Sequence, residues 1–231
     1  MKKAVVTGAS SGIGKAISFT LIELGYEVIG VSRTINTKEF SQNNFSHISA
    51  DLSTKEGTQS VCNELKKQDI HILVNCAGFG RFEPHEELSE KIIIDMSFLN
   101  LTSPMLITSS LLRTLKKNDG YIININSIEA LRASKFAAVY SATKAGLRSF
   151  GEALFEETRK TKLSITNINP DMTATNFYDE LRFDVSKKDD EKLFTQDVAD
   201  AVKHILSMRK GAVVSDYTIR SSSFGISKKR L

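Results

Sequence analysis

The chain predicts one doubly wound α/β domain, and three observations carry that expectation. Short β-branched runs alternate with longer helical patterns from end to end. Most of those runs are nearly continuous in apolar residues. The first run leads directly into a glycine-rich turn, Thr7-Gly8-Ala9-Ser10-Ser11-Gly12-Ile13-Gly14. Alternation of this kind puts helices on both faces of a mostly parallel sheet, and parallel strands covered on both faces need apolar residues at every position rather than every second one.

In chain order, strands are expected at Ala4–Thr7, Val28–Val31, Phe45–Ser49, Ile70–Val74, Tyr121–Ile125, Leu163–Ile168 and Ala212–Ser215, making a seven-stranded sheet. Helices are expected at 12–24, 54–67, 87–117, 137–161 and 195–208, with Asp51, Ser53 and Ser89 as caps near helix starts. The 231 residues suffice for one large α/β domain and are marginal for two. A single domain over 1–231 is therefore expected. Only 170–195 breaks the rhythm. It is polar, charged and poorly periodic, which reads as a lid or substrate loop over 171–195.

Composition narrows the function classes. Hydrophobic residues make up 41%, so a sizeable core is available. The formal net charge is +4 and is spread along the chain, apart from a short basic end at Lys228, Lys229 and Arg230. That end reads as a frayed, solvated terminus, and neither nucleic acid nor membrane is expected as a partner. Two cysteines, Cys62 and Cys76, make no disulfide framework. No spaced His/Cys/Asp/Glu cluster suggests a metal, and no apolar run is expected to approach membrane-span length. The apolar part of the N-terminus is too short for a signal-peptide core, so a soluble, cytoplasmic protein is expected.

The glycine-rich turn has a physical purpose. Glycines let the backbone turn sharply and approach a pyrophosphate without Cβ clashes. The helix N-terminus that follows offers free N–H groups and a positive dipole end. The second strand ends in Val31-Ser32-Arg33 with no acid to bind a ribose 2′-hydroxyl. Arg33 instead suits a 2′-phosphate, with Lys15 adding positive charge. NADP(H) is thus favoured over NAD(H).

Tyr140 and Lys144 are four residues apart in a run that reads as helix, which puts phenol and ammonium on one face. A nearby cation favours phenolate and so makes the tyrosine a stronger acid. Such an acid suits protonation of an alkoxide as hydride arrives. Alone, the pair also fits an ordinary solvated helix face.

Taken together, these elements resemble the short-chain dehydrogenase/reductase family over essentially the whole chain. Thr7-Gly8-xxx-Gly12-x-Gly14 looks like its cofactor motif, and Asp51-Leu52 like the pair whose acid contacts adenine. Asn75-Cys76-Ala77-Gly78 resembles the family's Asn-Asn-Ala-Gly. Asn100 matches its catalytic asparagine, and Ser127 lies thirteen residues before Tyr140, the family's usual interval. Pro170-Asp171-Met172-Thr173-Ala174-Thr175 is similar to its Pro-Gly-x-Val-x-Thr segment. Three departures stand out: Asp171 for a glycine, Asn126 for the first serine of a Ser-Ser pair, and Ile128-Glu129-Ala130 in place of small residues.

The resemblance implies a Rossmann-type fold, a nicotinamide cofactor and a small-molecule carbonyl or alcohol substrate. It implies catalysis by Tyr140 as general acid or base, with Lys144 lowering its pKa, Ser127 binding the carbonyl oxygen and Asn100 holding a water in a proton relay. The implied cofactor contacts are Gly8, Ser10, Ser11, Gly12, Ile13, Gly14, Arg33, Asp51, Leu52, Asn75, Ala77, Gly78, Tyr140, Lys144, Pro170, Met172, Thr173 and Thr175. It also implies a homodimer or homotetramer, paired through the long helices. An alternative is a dinucleotide-binding regulator with little turnover. A sugar-nucleotide epimerase fits poorly, because the C-terminal region is short. Substrate choice is expected to rest on 79–88, 128–137 and 171–195. Phe79, Phe82 and Phe136 are candidate wall residues, and the short C-terminal portion suggests an open pocket.

Overall fold

The computed structural model describes residues 1–40 and 44–229. Seven parallel strands, β1 (Lys3–Thr7), β2 (Glu27–Ser32), β3 (Phe45–Ser49), β4 (Ile70–Asn75), β5 (Tyr121–Ile125), β6 (Ser164–Pro170) and β8 (Asp216–Ile219), form one sheet in the order β3-β2-β1-β4-β5-β6-β8. The helices are α1 (Gly12–Glu23), α2 (Lys55–Leu65), α3 (Glu90–Ser97), α4 (Ser103–Lys117), α5 (Ala138–Thr158) and α6 (Thr195–Ser207). A separate antiparallel pair joins β7 (Phe183–Val185) to β9 (Ile226–Lys228).

Successive strand residues face opposite sides, and the core is split accordingly. Val6 packs with Ile17 and Leu21 of α1 and Val198 and Val202 of α6. Its neighbour Val5 packs on the other face with Val61 of α2, Ile107 and Leu111 of α4 and Leu154 of α5. Each such side chain contributes roughly 1.5–3 kcal/mol by burial. β1 is hydrogen-bonded to both β2 and β4, so the winding direction reverses there. Ligands bind open α/β sheets in the crevice at such a switch point, outside the carboxyl ends of the strands.

Four local expectations need correction. The last parallel strand is Asp216–Ile219 rather than 212–215. Asp216 faces Asn167 in the register and binds Arg148 and Asn169, so polar contacts set the pairing just beyond the apolar run. The helix expected over 87–117 is broken by a π-turn at Phe98–Thr102. Pro104 has no N–H for the carbonyl four residues back, that of Asn100, and the ladder widens just before it. The segment Glu90–Lys117 is also, by length and composition alone, apolar enough to cross a membrane, yet it buries Met96, Ile107, Leu111 and Leu115. Finally, Thr54 rather than Asp51 or Ser53 caps α2, through Gly57 N at 3.1 Å. Ser89 does cap α3, accepting from Ile92 N at 3.3 Å.

The basic end is not frayed through Lys229. β9 pairs with β7, and the Lys229 ammonium donates to the carbonyls of Tyr178 and Asp179, the latter at 3.1 Å. Arg230 lies outside the described residues.

Candidate active site

Each glycine of the first turn meets a different constraint. Gly8 and Gly12 have φ of 71° and 53°, in the left-handed region. A Cβ on Gly14 would lie 2.3 Å from the Gly8 carbonyl oxygen, so only glycine lets α1 pack against the turn. The start of α1 carries no side-chain cap hydrogen bond and no acid in its first turn. Its N–H groups therefore face outward with the positive dipole end, as an anion site requires. Ser10 and Ser11 are exposed beside it.

Thr7 binds this turn to the next. Its hydroxyl oxygen accepts from Cys76 N at 2.9 Å and Ala77 N at 3.0 Å. Ala77 and Gly78 are thus held beside the glycine turn, and a Cβ on Gly8 would touch Ala77 Cα at 3.0 Å. Burial pushes the Cys76 thiol up to about 12, which keeps it a protonated packing group.

Several of the expected contact residues have their side chains engaged within the protein. The Asn75 side chain points into the sheet, donating to Asn124 at 2.9 Å and Thr108 at 3.2 Å, and is 2% exposed. It belongs to a lateral row, Asn75–Asn124–Asn167–Asp216, in register across β4, β5, β6 and β8. The Leu52 side chain packs in the core. Lys15 is ion-paired with Glu39, so its charge is already spent. Arg33 is exposed at the end of β2 and makes no ion pair among the described residues. Asp51 is exposed nearby. Hydrogen bonds from Ser53 hold its carboxyl low, with Arg33 a smaller cause.

At the carboxyl ends of β5 and β6, a cavity of about 710 Å³ opens beside Ile13. Ser127, Tyr140, Pro170, Met172, Thr173 and Thr175 all line it. The Ser127 side chain lies close enough to the Tyr140 hydroxyl to favour its phenolate, while its oxygen accepts from Glu129 N at 3.2 Å. Lys144 is buried, donates to the Ile125 carbonyl at 2.9 Å, and sits 5.9 Å from the Tyr140 ring centre.

The tyrosine's acidity runs against the expectation. Burial pushes the phenol up to about 12; Ser127 opposes this and the Glu129 carboxylate adds to it. Lys144 is itself brought down to about 8 by burial. Desolvation is the largest cause at both groups, and Lys144 is not among the causes that move the phenol.

The Asn100 side chain makes its contacts directly with protein groups. Its amide spans the Phe79 backbone, accepting from Phe79 N at 3.1 Å and donating to Phe79 O at 2.8 Å, and it donates to Thr143 at 3.2 Å. The π-turn aims it there, so that it fixes the strand-four loop against α5. π-turns inside helices often sit at functional sites.

Two departures from the family pattern prove to be paired charges. Asp171 is buried, accepts from Met172 N at 2.9 Å and faces Arg220 at 3.2 Å. Glu129 is buried and accepts from Arg132 at 3.0 Å, Ser134 at 2.8 Å and Ser141 at 3.2 Å.

The cavity wall is mostly aromatic. Phe82 lies 5.2 Å from Tyr140 and 5.3 Å from Phe183, and Phe177 lies 5.8 Å from Tyr140. A Cβ on Gly80 would meet the Phe177 ring at 2.7 Å, so the rings close over a glycine. Phe136 is at the rim, whereas Phe79 does not line the cavity. Sequence reading missed Phe177, Tyr178 and Phe183; three aromatics within an otherwise polar loop were the signal. It also underrated the C-terminus: Phe224, Ile226 and Lys228 line the cavity, so the pocket is walled rather than open on that side.

Comparison with known proteins agrees with this geometry. Residues 2–186 match the family described as short chain dehydrogenase. A protein named as an uncharacterized oxidoreductase of Staphylococcus aureus (strain USA300) is 31% identical over 234 residues, covering 95% of this chain and 96% of its own. The alcohol dehydrogenase of Thermococcus sibiricus, solved with 5-hydroxy-NADP, superposes with a TM-score of 0.86 at 26% identity, over 96% of this chain and 97% of that one. A 4-hydroxyisoleucine dehydrogenase solved with NADH shares the fold, with a TM-score of 0.84 at 22% identity over 96% and 98%. With the sheet order, the glycine turn and the family match in agreement, this chain belongs to the short-chain dehydrogenase family of oxidoreductases.

Proposed function

We propose that the protein is an NADP(H)-dependent carbonyl reductase, or the reverse alcohol dehydrogenase. The observation that carries this reading is that Ser127 and Tyr140 line the same cavity, beside Ile13 of the glycine turn. The dinucleotide, when bound, supplies or takes the hydride. The uncapped start of α1, Gly8, Gly12 and Gly14 would hold its pyrophosphate, and Arg33 its 2′-phosphate. Thr173, Thr175 and Met172 would flank the nicotinamide.

The chain's own residues then handle oxygen and proton. Ser127 donates a hydrogen bond to the substrate carbonyl oxygen and stabilises charge that develops there. Tyr140 gives its proton to that oxygen in reduction and takes it back in oxidation. Because burial holds the phenol near 12, it is protonated and ready to donate at neutral pH. Lys144, anchored on the Ile125 carbonyl, sits where its charge offsets a phenolate. Asn100 is a positioning residue that holds Phe79 and, through Thr143, α5. Pairing of two copies through α3–α5 is supported by exposed apolar residues there, Ile94 at 55% and Leu106 at 43%.

The test is oxidation of NADPH, with a parallel NADH series, across ketones, aldehydes, quinones, keto-esters and acyl thioesters. No turnover on any of them would sink the reading, and a clear preference for NADH would remove the role given to Arg33. A second reading, a dinucleotide-binding regulator, draws on Glu129, whose charge works against phenolate formation. Tyr140→Phe separates the two: a reductase loses turnover by roughly 10²–10⁴-fold, whereas a regulator keeps its biological activity.

A further inference from the structure

The cavity grades from a buried floor to a charged mouth. Tyr140 at the floor is 6% exposed, while Phe136, Phe224 and Ile226 at the rim are 46%, 63% and 48% exposed. Between them lies the aromatic wall of Phe82, Phe177 and Phe183. An apolar substrate body fits that wall.

The charges at the mouth are unequal. Both acids that line the cavity are already matched, Glu129 by Arg132 and Asp171 by Arg220. The remaining cations are Lys135, Arg182 and Lys228. Lys135 and Lys228 make no ion pair among the described residues, and Arg182 reaches only Glu87, at 3.6 Å.

These cations are also held in place. Lys228 and Ile226 are two apart on β9 and share a face, both toward the cavity. Lys228 is opposite Phe183 in the register. The Lys135 ammonium lies 4.8 Å over the Phe136 ring. Phe136 has φ of 68°, a conformation rare for a bulky residue, which sets the rim geometry by the backbone.

We propose, on the reductase reading above, that the substrate is an apolar keto acid or the corresponding hydroxy acid. Its reacting carbon lies at Ser127 and Tyr140, its body lies along the aromatic wall, and Lys135, Arg182 and Lys228 hold its carboxylate at the mouth. An interaction of this kind acts through charge complementarity, so it selects among substrates and weakens with salt.

The probes are para-acetylbenzoate and the longer para-acetylcinnamate, each with its methyl ester. Each is titrated calorimetrically into the wild type and into a Lys135→Ala/Lys228→Ala variant, with NADP⁺ present. The expected result is at least one acid binding about tenfold tighter than its ester at low salt. That preference shrinks in the variant and in added salt, and it reverses in a Lys135→Glu/Lys228→Glu variant. Thermal melting of both variants checks that the exposed substitutions leave the fold intact. Equal binding of acid and ester, a preference untouched by the variants, or no binding of any probe overturns the inference. Turnover of the same probes is scored separately: a binding preference without turnover counts against the reductase reading alone, and turnover without preference counts against the keto acid alone.

Discussion

The Glu129 carboxylate and the Tyr140 phenol are joined through one turn of chain: Glu129 Oε2 accepts from Ser141, the residue after Tyr140, at 3.2 Å, and its charge raises the phenol's pKa. Glu129→Gln keeps the shape and removes the charge, so the Tyr140 pKa falls. In the oxidative direction, where Tyr140 is the base, the alkaline rise in kcat/KM then begins at lower pH. In reduction, where it is the acid, activity is lost at lower pH than in the wild type. Rate–pH profiles in both directions check this. An unmoved profile would mean that Glu129 serves only to anchor Arg132 and Ser134.

Arg33 is exposed and makes no ion pair among the described residues. Its replacement by alanine removes a charged hydrogen-bond partner worth about 1.5–3 kcal/mol. The KM for NADPH is expected to rise roughly tenfold to a hundredfold, while the KM for NADH changes little. Equal effects on both cofactors would place the 2′-phosphate elsewhere.

Gly151 of α5 faces the asparagine row. A Cβ there would meet Asn167 Oδ1 at 2.4 Å and Asn124 Nδ2 at 2.8 Å. Helix propensity favours alanine over glycine by about 1 kcal/mol, but overpacking of a tight core costs about 1–3 kcal/mol, and the sheet row cannot retreat without losing hydrogen bonds. Gly151→Ala is therefore expected to lower the urea midpoint and the Tm. A stabilised variant would show that the row has slack.

Lys144 imposes a pH dependence on stability. Its pKa falls from 10.5 to about 8 on burial, so between those values the unfolded chain binds more protons than the folded one. Stability from this group therefore rises as pH increases through about 8 toward 10, by at most about 1.4 kcal/mol per unit. Tyr140, raised from 10.0 to about 12, works in the opposite direction only above pH 10. Urea midpoints at about pH 7.5 and about pH 9.5, on either side of the folded-state value, should differ in the wild type and converge in Lys144→Met. A wild type without that slope would show that the ammonium is better solvated than its burial implies.

The sequence by itself determined the sheet, the phosphate turn and the family. Those features are local: β-branched runs, glycines at a required spacing, and motifs in order along the chain. It also placed Ser127 and Tyr140 near one another through the resemblance. What only the tertiary structure decided is where charges end up after burial. The Tyr140 phenol is raised although Lys144 is one turn away, because desolvation by burial is the largest cause at both groups. Asp171 and Glu129 looked like free acids beside the site, but Arg220 reaches Asp171 from the end of β8, and the turn after Glu129 folds Arg132 and Ser134 back onto its carboxylate. The pairing of β7 with β9 brings Lys228 to the cavity from the chain's far end, and nothing in either strand's own residues specified the other. Local pattern sets elements; long-range packing sets dielectric and partners, and the chemistry of this site depends on both.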